Sequence, residues 1–400
     1  MTGHKATSEL TAKDMPAVKT VAKANQDFNG KLYPLLSGAA GATDNIVVST
    51  FSVSSLLSML WTGAAGNTAR ELKNGLALPN DKAILATGFE SLSGALRSNG
   101  NFTLDTANRI YVQKNFTLLE SYLNETAQLF KAEAKNVDFA RDPDGVCKAI
   151  NTWVAEKTHQ KIKNLIPKGT LDPLSRLVLV NAVYFKGDWQ NKFEKSHTSK
   201  RYFEVTPGRK KVRVDMMFRN GKYRGKVDNK LGATVLQLPY RGDRIHMYIA
   251  LPRKAKAFAK VEKKWANLDF LGLDLGKKQT YTIGLPKFKI RAKHDLADKL
   301  TSLGVSDIFN PARANFSRMT DASSGLSVSR VLQKAAIEVN EDGAEAAAAT
   351  ASVLVRFSLV WGKSVVCNRP FLFAIVSNEV RTPIFFGKVT RPEAGEAPVE

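Results

Sequence analysis

The order of the predicted elements constrains the fold of this chain most, because helical and strand patterns occupy different parts of it. Apolar residues recur at spacings of three and four over 16–36, 51–76 and 145–166, which predicts helices with one buried face. Short runs rich in β-branched and aromatic residues dominate the second half and predict strands. These runs span 175–185, 233–240, 245–252, 281–290 and 370–376. Segregated rather than alternating elements predict an α+β fold and not a doubly wound sheet.

Composition indicates an ordered protein with a large positive surplus. The 400 residues are 44% hydrophobic and 24% charged, and no linker rich in Pro, Gly or Ser divides them. A formal net charge of +22 must be solvated or matched by a polyanion, such as nucleic acid, sulfated polysaccharide or an anionic membrane. Because no apolar run approaches the roughly 18 residues needed to cross a bilayer, we expect no integral membrane protein.

The usual catalytic and metal-binding motifs are missing. The five histidines are scattered without an H-E-x-x-H pair, and neither G-x-S-x-G nor G-x-G-x-x-G occurs. Cys147 and Cys367 have no metal spacing and are expected to be two separate packed thiols. We therefore expect no metal and no cofactor, and a binding or inhibitory protein is favoured over an enzyme.

The run EDGAEAAAAT at 341–350 has the composition of a helix but lacks the hydrophobic stripe that would bury one. Three further stretches are NAVYFKGDWQNKF at 181–193, VCNRPFLFAI at 366–375 and IFFGKV at 384–389. In order and spacing, the four stretches resemble the serpin family, and arthropod serpins in particular. The resemblance extends from about Val21 to Thr390.

The resemblance implies one serpin domain over 21–390, between an N-terminal tail at 1–20 and a C-terminal tail at 391–400. Such a domain has three β-sheets, about nine helices and an exposed reactive-centre loop, here at about 341–362. The predicted hinge of this loop comprises Glu341, Gly343, Ala344, Glu345, Ala346, Ala347, Ala348, Ala349 and Thr350. In a strand, Ala344, Ala346, Ala348, Thr350 and Ser352 share one face, and small side chains there would let the loop enter a close-packed sheet.

The resemblance also implies that the chain inhibits serine proteases as a suicide substrate and is not an enzyme itself. The protease serine would attack the bait bond to form an acyl-enzyme, and the freed loop would then enter the central sheet and trap the protease. Family spacing places this bond at Phe357–Ser358, which predicts a chymotrypsin-like target with a large hydrophobic primary pocket. A register one residue earlier gives Arg356–Phe357 and predicts a trypsin-like target.

The alternative within the family is a non-inhibitory serpin that acts as a carrier, storage protein or chaperone. Bulky or charged residues at the hinge positions that face inward after insertion would favour this alternative. All five inward positions here are Ala, Thr or Ser, which favours inhibition.

Other positions match serpin residues that control the opening of the sheet. The polar cluster under the sheet corresponds to Ser49, Ser52, Asn181 and Gln333, where Gln333 replaces the usual histidine. Because glutamine does not titrate near neutral pH, we do not expect acid-sensitive opening through this residue. Trp189 matches a tryptophan where the loop first enters, and Lys287 with Glu341 matches a salt bridge at the base of the loop.

Basic residues concentrate between Lys195 and Lys226 and again in RKAKAFAKVEKKW at 253–265. The second stretch predicts a short amphipathic helix with Phe258, Val261 and Trp265 packed inward. Its outer face would carry Arg253, Lys254, Lys256, Lys260, Lys263 and Lys264. The resemblance implies binding of heparin or another sulfated glycosaminoglycan here, and a merely solvated face is the alternative. The sequence has no nucleic-acid recognition motif, so we expect neither a nucleic-acid partner nor a membrane partner.

Four N-x-[ST] sequons favour a secreted glycoprotein. They lie at Asn101, Asn115, Asn124 and Asn315. Residues 1–15 lack the apolar core of a signal peptide, so the sequence as written carries no export signal. We expect a secreted, extracellular monomer.

Overall fold

The computed structural model describes residues 11–96, 98, 100–130, 132–206, 210–321, 325–342 and 362–392. Eight α-helices lie in this part of the chain: α1 (Met15–Ala39), α2 (Thr50–Gly63), α3 (Gly66–Gly75), α4 (Lys82–Ala95), α5 (Glu120–Phe130), α6 (Pro143–Lys157), α7 (Phe258–Ala266) and α8 (Ala297–Ser302). This is one helix fewer than the predicted number of about nine. Helix α1 begins at Met15, so the predicted tail at 1–20 contains its first residues.

Fourteen strands accompany the helices in the described ranges. They are β1 (Ile46–Val48), β2 (Phe102–Gln113), β3 (Glu133–Val137), β4 (Leu177–Gly187), β5 (Thr198–Thr206), β6 (Lys210–Asp228), β7 (Ala233–Pro239), β8 (Ile245–Pro252), β9 (Gln279–Pro286), β10 (Phe288–Asp295), β11 (Val328–Val339), β12 (Lys363–Val366), β13 (Phe371–Ser377) and β14 (Pro383–Val389). Helices dominate the first half and strands the second. The α+β class is therefore confirmed.

Two of the predicted helices are interrupted for local reasons. The segment 51–76 divides into α2 and α3, because Ala64 and Ala65 between them adopt extended backbone conformations with ψ angles of 154° and 171°. The segment 145–166 is helical only to Lys157. His159 and Gln160 follow with left-handed φ angles of 46° and 63°, which a continuing helix does not allow. Residues 158–176 therefore form a long connection to β4.

The central sheet has five strands in the order β10-β11-β4-β2-β3. Strands β4 and β11 are parallel neighbours, and Leu177–Phe185 pairs with Val328–Ile337. Every residue of β4 is buried. This explains its continuous apolar sequence, because both faces of the sheet are covered. Helix α2 lies against one face, while α6 and the connection after it cover the other.

The remaining strands follow the order β1-β14-β13-β8-β7-β6-β9-β12, and β5 pairs with β6. Strand β6 is 19 residues long and belongs to two sheets. Its segment Met216–Tyr223 pairs with β9, whereas Arg224–Asp228 pairs with β7. With the central sheet, the described strands therefore form three sheets, as predicted. Among the described helices, none has the length and apolarity needed to cross a membrane.

Helix α7 is attached to the core by the half-buried carboxylate of Glu262. Glu262 Oε1 accepts hydrogen bonds from Tyr33 Oη at 2.8 Å and Ser37 Oγ at 2.7 Å, both on α1. The ammonium group of Lys388 on β14 lies 3.3 Å from the same oxygen, and the Lys388 side chain is only 5% exposed. Burial, followed by the nearby Glu262 charge, raises the pKa of Tyr33. One side chain thus joins α1, α7 and β14.

We predict that Glu262→Leu destabilises the fold by about 3–5 kcal/mol, because it leaves the buried Lys388 ammonium without its carboxylate. Urea unfolding followed by circular dichroism measures the effect. The double variant Glu262→Leu/Lys388→Met removes both charges and should recover most of the loss. A loss below about 1 kcal/mol for the single variant would contradict this account of the pair.

Candidate functional site: the seam between two parallel strands

The boundary between β4 and β11 is hereafter called the seam. Side chains hold it together at its upper end, where β4 ends at Gly187 and β11 ends at Val339. Backbone pairing stops at Phe185 and Ile337, although the strands continue to Gly187 and Val339. Beyond that point Lys186 Nζ lies 3.2 Å from Glu338 Oε1, and Lys289 Nζ lies 3.5 Å from Glu338 Oε2. Burial alone would raise the pKa of Glu338, but the two ammonium groups outweigh it and lower the pKa. An ion pair therefore spans the seam.

Glu341, at the predicted base of the loop, is 5% exposed and fully engaged. Lys287 Nζ lies 2.9 Å from its Oε2, and Thr198 Oγ1 donates to its Oε1 at 2.9 Å. Its backbone carbonyl accepts a hydrogen bond from Phe193 N at 3.0 Å. The structure thus brings the predicted Lys287 and Glu341 together, in a pair whose carboxylate is buried and whose lysine is half-buried.

Trp189 attaches the end of β4 to the residues that precede the loop. Its Nε1 donates to Asn340 O at 2.9 Å, and its side chain is buried. The indole stacks on Tyr240 with ring centroids 4.4 Å apart and planes 10° apart. Burial raises the pKa of Tyr240. Trp189 therefore lies at the upper end of the seam, where the resemblance expected it.

Four polar residues in cross-strand register form a row across the central sheet. Asn108 on β2 is opposite Asn181 on β4, Asn181 is opposite Gln333 on β11, and Gln333 is opposite His294 on β10. Asn181 Nδ2 donates to Asn108 Oδ1, and Gln333 Nε2 donates to Asn181 Oδ1. The second of these bonds crosses the seam. We call these four residues the polar row.

The predicted cluster of Ser49, Ser52, Asn181 and Gln333 is brought together under this row. Gln333 Nε2 donates to Ser49 O at 3.0 Å, and Ser49 N donates to Gln333 Oε1 at 3.3 Å. Ser49 caps α2 by accepting from Ser52 N at 3.3 Å. Ser52 Oγ donates to Asn108 Oδ1 at 3.3 Å. The cluster therefore links the seam to the start of α2.

Sequence reasoning missed Asn108 and His294. His294 Nε2 lies 2.9 Å from Val47 O, and burial lowers the pKa of its imidazole. Gln333 itself does not titrate, yet a titratable histidine lies directly beside it. The signal available in the sequence was a polar residue within an otherwise apolar or alternating strand segment, but only the strand register shows that the two residues share a row.

The basic face of α7 is exposed as predicted, and it extends further. Val261 and Trp265 are buried and Phe258 is half-buried, while Arg253, Lys254, Lys256, Lys260, Lys263 and Lys264 are all exposed. Arg253 Nη1 donates to Asn229 Oδ1 at 3.0 Å, and Lys264 Nζ donates to Lys230 O. The exposed Lys230, in the turn after β6, therefore joins the same surface.

Many of the predicted loop residues lie outside the described residues. These are the hinge positions Gly343, Ala344, Glu345, Ala346, Ala347, Ala348, Ala349 and Thr350, together with Ser352 and the bait positions Arg356, Phe357 and Ser358. Among the sequons, Asn115, Asn124 and Asn315 are exposed and Asn101 is half-buried. Asn124 lies within α5, and the Thr126 of its sequon is fully buried.

Neither a metal site nor a disulfide is formed by the residues described. No group of three or more His, Cys, Asp or Glu side chains among them is arranged to hold a metal ion. Cys147 and Cys367 are buried free thiols, and burial raises the pKa of Cys367 to about 12. Such a thiol is a packing residue rather than a nucleophile at neutral pH.

Comparison with known proteins identifies the family to which this chain belongs. The family model described as "Serpin (serine protease inhibitor)" matches residues 23–392. The chain is a serpin. Serpins are in general serine protease inhibitors and not enzymes, although some members are non-inhibitory. Serpin B6 of Pongo abelii is 35% identical over 354 residues, which cover 87% of this chain and 93% of that protein.

Two solved structures extend the comparison. Serpin48, described as a highly specific serpin in the insect Tenebrio molitor, has a TM-score of 0.82 at 30% identity and covers 96% of this chain and 100% of its own. It supports the predicted likeness to arthropod serpins. Native protease nexin-1, solved with heparin, has a TM-score of 0.82 at 30% identity and covers 94% of this chain and 100% of its own.

The prediction of secretion is wrong by this comparison. Serpin B6, Serpin B4, Serpin B8 and leukocyte elastase inhibitor, which are among the similar curated proteins, are intracellular serpins that lack signal peptides. The sequons had favoured secretion, but a three-residue pattern of this kind recurs by chance in a chain of 400 residues.

We predict that Gln333→Leu destabilises the native state by about 2–4 kcal/mol, because it leaves buried groups of Ser49 and Asn181 without partners. Thermal and urea unfolding measure this change. Gln237→Leu is a control, since Gln237 is a buried glutamine in a sheet distant from the seam. If conversion to a loop-inserted form on mild heating is accelerated by Gln333→Leu and not by the control, the residue holds the seam closed. Equal conversion rates would contradict that role.

Proposed function

We propose that this serpin inhibits serine proteases as a suicide substrate, by inserting its cleaved loop into the seam between β4 and β11. The observation that carries the proposal is the position of the seam. Strand β11 leads through Asn340, Glu341 and Asp342 into the loop region, and its neighbour on the inner side is the parallel strand β4. The inserting segment is therefore already joined to one wall of the slot it would fill.

Strand direction supplies the driving force for this step. A segment that folds back from the end of β11 and lies beside it runs antiparallel to β11. Because β4 is parallel to β11, the same segment is antiparallel to β4 as well. Insertion would exchange one parallel interface for two antiparallel ones, which adds ladder hydrogen bonds of the more favourable kind and buries further surface.

The contacts across the seam would keep the loop out until it is cleaved. Insertion has to break the hydrogen bond from Gln333 to Asn181 and separate Lys186 from Glu338. Both contacts are buried, so their groups need new partners once the strands part. The inserted backbone would offer such partners. The contacts across the seam are costly to break, but the inserted strand can replace them. Such contacts suit an inhibitor whose native state rearranges once, after its loop is cleaved.

The loop sequence selects the target. With Phe357 before the cleaved bond, a chymotrypsin-like protease is the favoured partner, since its primary pocket accepts a large apolar residue. Cleavage one residue earlier, after Arg356, would instead select a trypsin-like protease. The inward hinge residues are small throughout, which allows passage between two packed strands.

We predict an SDS-stable adduct when the protein is incubated with chymotrypsin, and a released C-terminal peptide that begins at Ser358 when the mixture is weighed by mass spectrometry. A peptide that begins at Phe357 moves the bait to Arg356. Ala346→Arg should convert the inhibitor into a cleaved substrate, because a long charged side chain would face the core after insertion. The matched variant Glu345→Arg, at a position on the opposite face that already carries a charged side chain, should still form adduct.

Cleavage of the unmodified chain without any adduct, with chymotrypsin and trypsin both left active, would contradict the inhibitory mechanism and favour the carrier reading. Equal adduct yields from the two arginine variants would contradict insertion as the trapping step.

A finer part of the proposal concerns sulfated glycosaminoglycans. None of the six cations on α7 and its approach forms an ion pair with a described carboxylate, so their charge is available to a polyanion. Lys230 extends the same surface. Protease nexin-1, a structural neighbour solved with heparin, supports this use of a serpin surface. We propose that heparin-like chains bind the exposed face of α7.

We predict that Lys260→Gln/Lys263→Gln elutes from heparin agarose at clearly lower salt than the unmodified chain, because each lost cation removes a counterion-releasing contact. Lys135→Gln/Lys148→Gln, which removes two exposed lysines that form no ion pair with a described carboxylate, is the matched control. Equal reductions for the two double variants would show that net charge alone sets retention and that α7 is no binding site.

A further inference from the structure

A polar cavity of about 360 Å³ lies away from the seam, between strands β6, β7 and β8 and three loops. Four of its lining residues are cations: Lys222, Arg224, Lys278 and Arg381. We call this cavity the basic pocket. Its volume is at the lower end of the range for small-molecule sites, which run from about 300 to 1,000 Å³. Neither protease inhibition nor the α7 surface uses it.

The cations of the basic pocket converge without being neutralised. None of the four forms an ion pair with a described carboxylate. Burial lowers the pKa of the His246 imidazole, the Asp243 carboxylate opposes this shift, and the nearby charges of Arg381 and Lys278 lower the pKa further. Two carboxylates also line the cavity, so four cations and two anions leave it a net formal charge of +2. Asp243 accepts from His246 Nε2 at 2.8 Å, and Asp274 accepts from Gly276 N at 2.7 Å.

A buried hydrogen-bond chain fixes the floor of the pocket. Gln237 Nε2 lies 2.5 Å from His246 Nδ1 and donates to Tyr248 Oη at 2.8 Å. Arg381 Nη1 donates to the same phenol oxygen at 3.1 Å. Because Tyr248 Oη accepts twice, its own proton points away from both donors. Tyr248 therefore offers a hydrogen bond beside the guanidinium of Arg381.

The backbone around the pocket is held in an unfavourable conformation. Asp243 and Arg381 have left-handed φ angles of 59° and 51°, and they are two of the six non-glycine residues with positive φ in the described chain. An arginine rarely adopts this region, which costs about 1–3 kcal/mol. Asn378 joins the β13–β14 turn to the β7–β8 turn, since its N donates to Arg244 O and its Nδ2 donates to Asp243 O at 2.9 Å. Arg381 lines the cavity from this turn and donates to Tyr248 Oη.

We propose that the basic pocket binds a small multivalent oxyanion, such as the phosphate group of a phosphate monoester. Such a group carries several acceptor oxygens and at least one full negative charge, which match a guanidinium, two ammonium groups and a phenol proton. Arg381 supplies the planar fork that recognises such an oxyanion, and Lys222 and Lys278 supply mobile charge at the mouth.

Isothermal titration with inorganic pyrophosphate at constant ionic strength tests the proposal, together with NMR of the histidine side chains. We expect saturable binding at one site and a shift of the His246 signals. Lys278→Gln should weaken binding by about tenfold or more, because it removes one charged contact. Its side chain is exposed, so the fold should be unaffected. Arg381→Gln should weaken binding at least as much.

Lys148→Gln, which removes an exposed lysine of α6, is the matched control and should leave pyrophosphate affinity unchanged. Adduct formation with chymotrypsin should also be unchanged in Lys278→Gln, which keeps this test separate from that of protease inhibition. Absence of saturable binding, an unperturbed His246 signal, or equal weakening by Lys278→Gln and Lys148→Gln would each overturn the proposal.

Discussion

The hydrogen bond from Gln333 to Asn181 is the contact on which the rest of the structure depends, because it closes the seam in the middle of the central sheet. Its two residues belong to a polar row that spans four strands, and the same glutamine fixes the start of α2 through both backbone groups of Ser49. Buried polar groups are costly unless they are satisfied, and here Gln333 donates to Asn181, which in turn donates to Asn108. Parting β4 from β11 therefore disturbs the helix beneath as well as the sheet.

The opposite face of the sheet is constrained in a different way. A separate apolar cluster joins Ile150 and Val154 of α6 to Val178 and Val180 of β4. Lys334, next to Gln333 on β11, donates to Lys163 O at 2.7 Å in the connection after α6, and burial lowers the pKa of its ammonium group. This cover is joined to both walls of the seam, through apolar packing on β4 and a hydrogen bond on β11. Opening the seam must therefore shift α6 and its connection too.

Local sequence patterns predicted an element correctly where the burial of its own residues determines its conformation. The run 245–252 is β8 without any change of boundary, because every residue in it is buried and apolar or paired. The helix at 145–166 was predicted too long, since a periodic pattern does not reveal that His159 and Gln160 turn left-handed. Strand β6, half of it polar or charged, was not predicted as a strand at all. Its pairing partners, rather than its own residues, determine it.

The residues of the candidate site also divide into those that the sequence located and those that only the strand pairing revealed. Resemblance located Ser49, Asn181 and Gln333, and the strand register then added Asn108 and His294, which no local pattern connects. The basic pocket was equally invisible, because Lys222, Lys278 and Arg381 come from three separate segments of the chain. Long-range pairing of strands is what assembles such sets, and a single sequence records it only weakly.

The large positive charge is distributed unevenly, and the distribution distinguishes the surfaces. Around the seam and the loop base, carboxylates neutralise the lysines: Lys186 faces Glu338, Lys287 faces Glu341, and Lys195 lies 3.3 Å from Asp342. The six cations of α7 and the four of the basic pocket form no ion pair with a described carboxylate. Paired charges can hold a segment in place, whereas unpaired ones attract anions from solution. The same surplus of lysine and arginine is therefore neutralised within the structure at the loop base, while on α7 and in the basic pocket it remains available to anions.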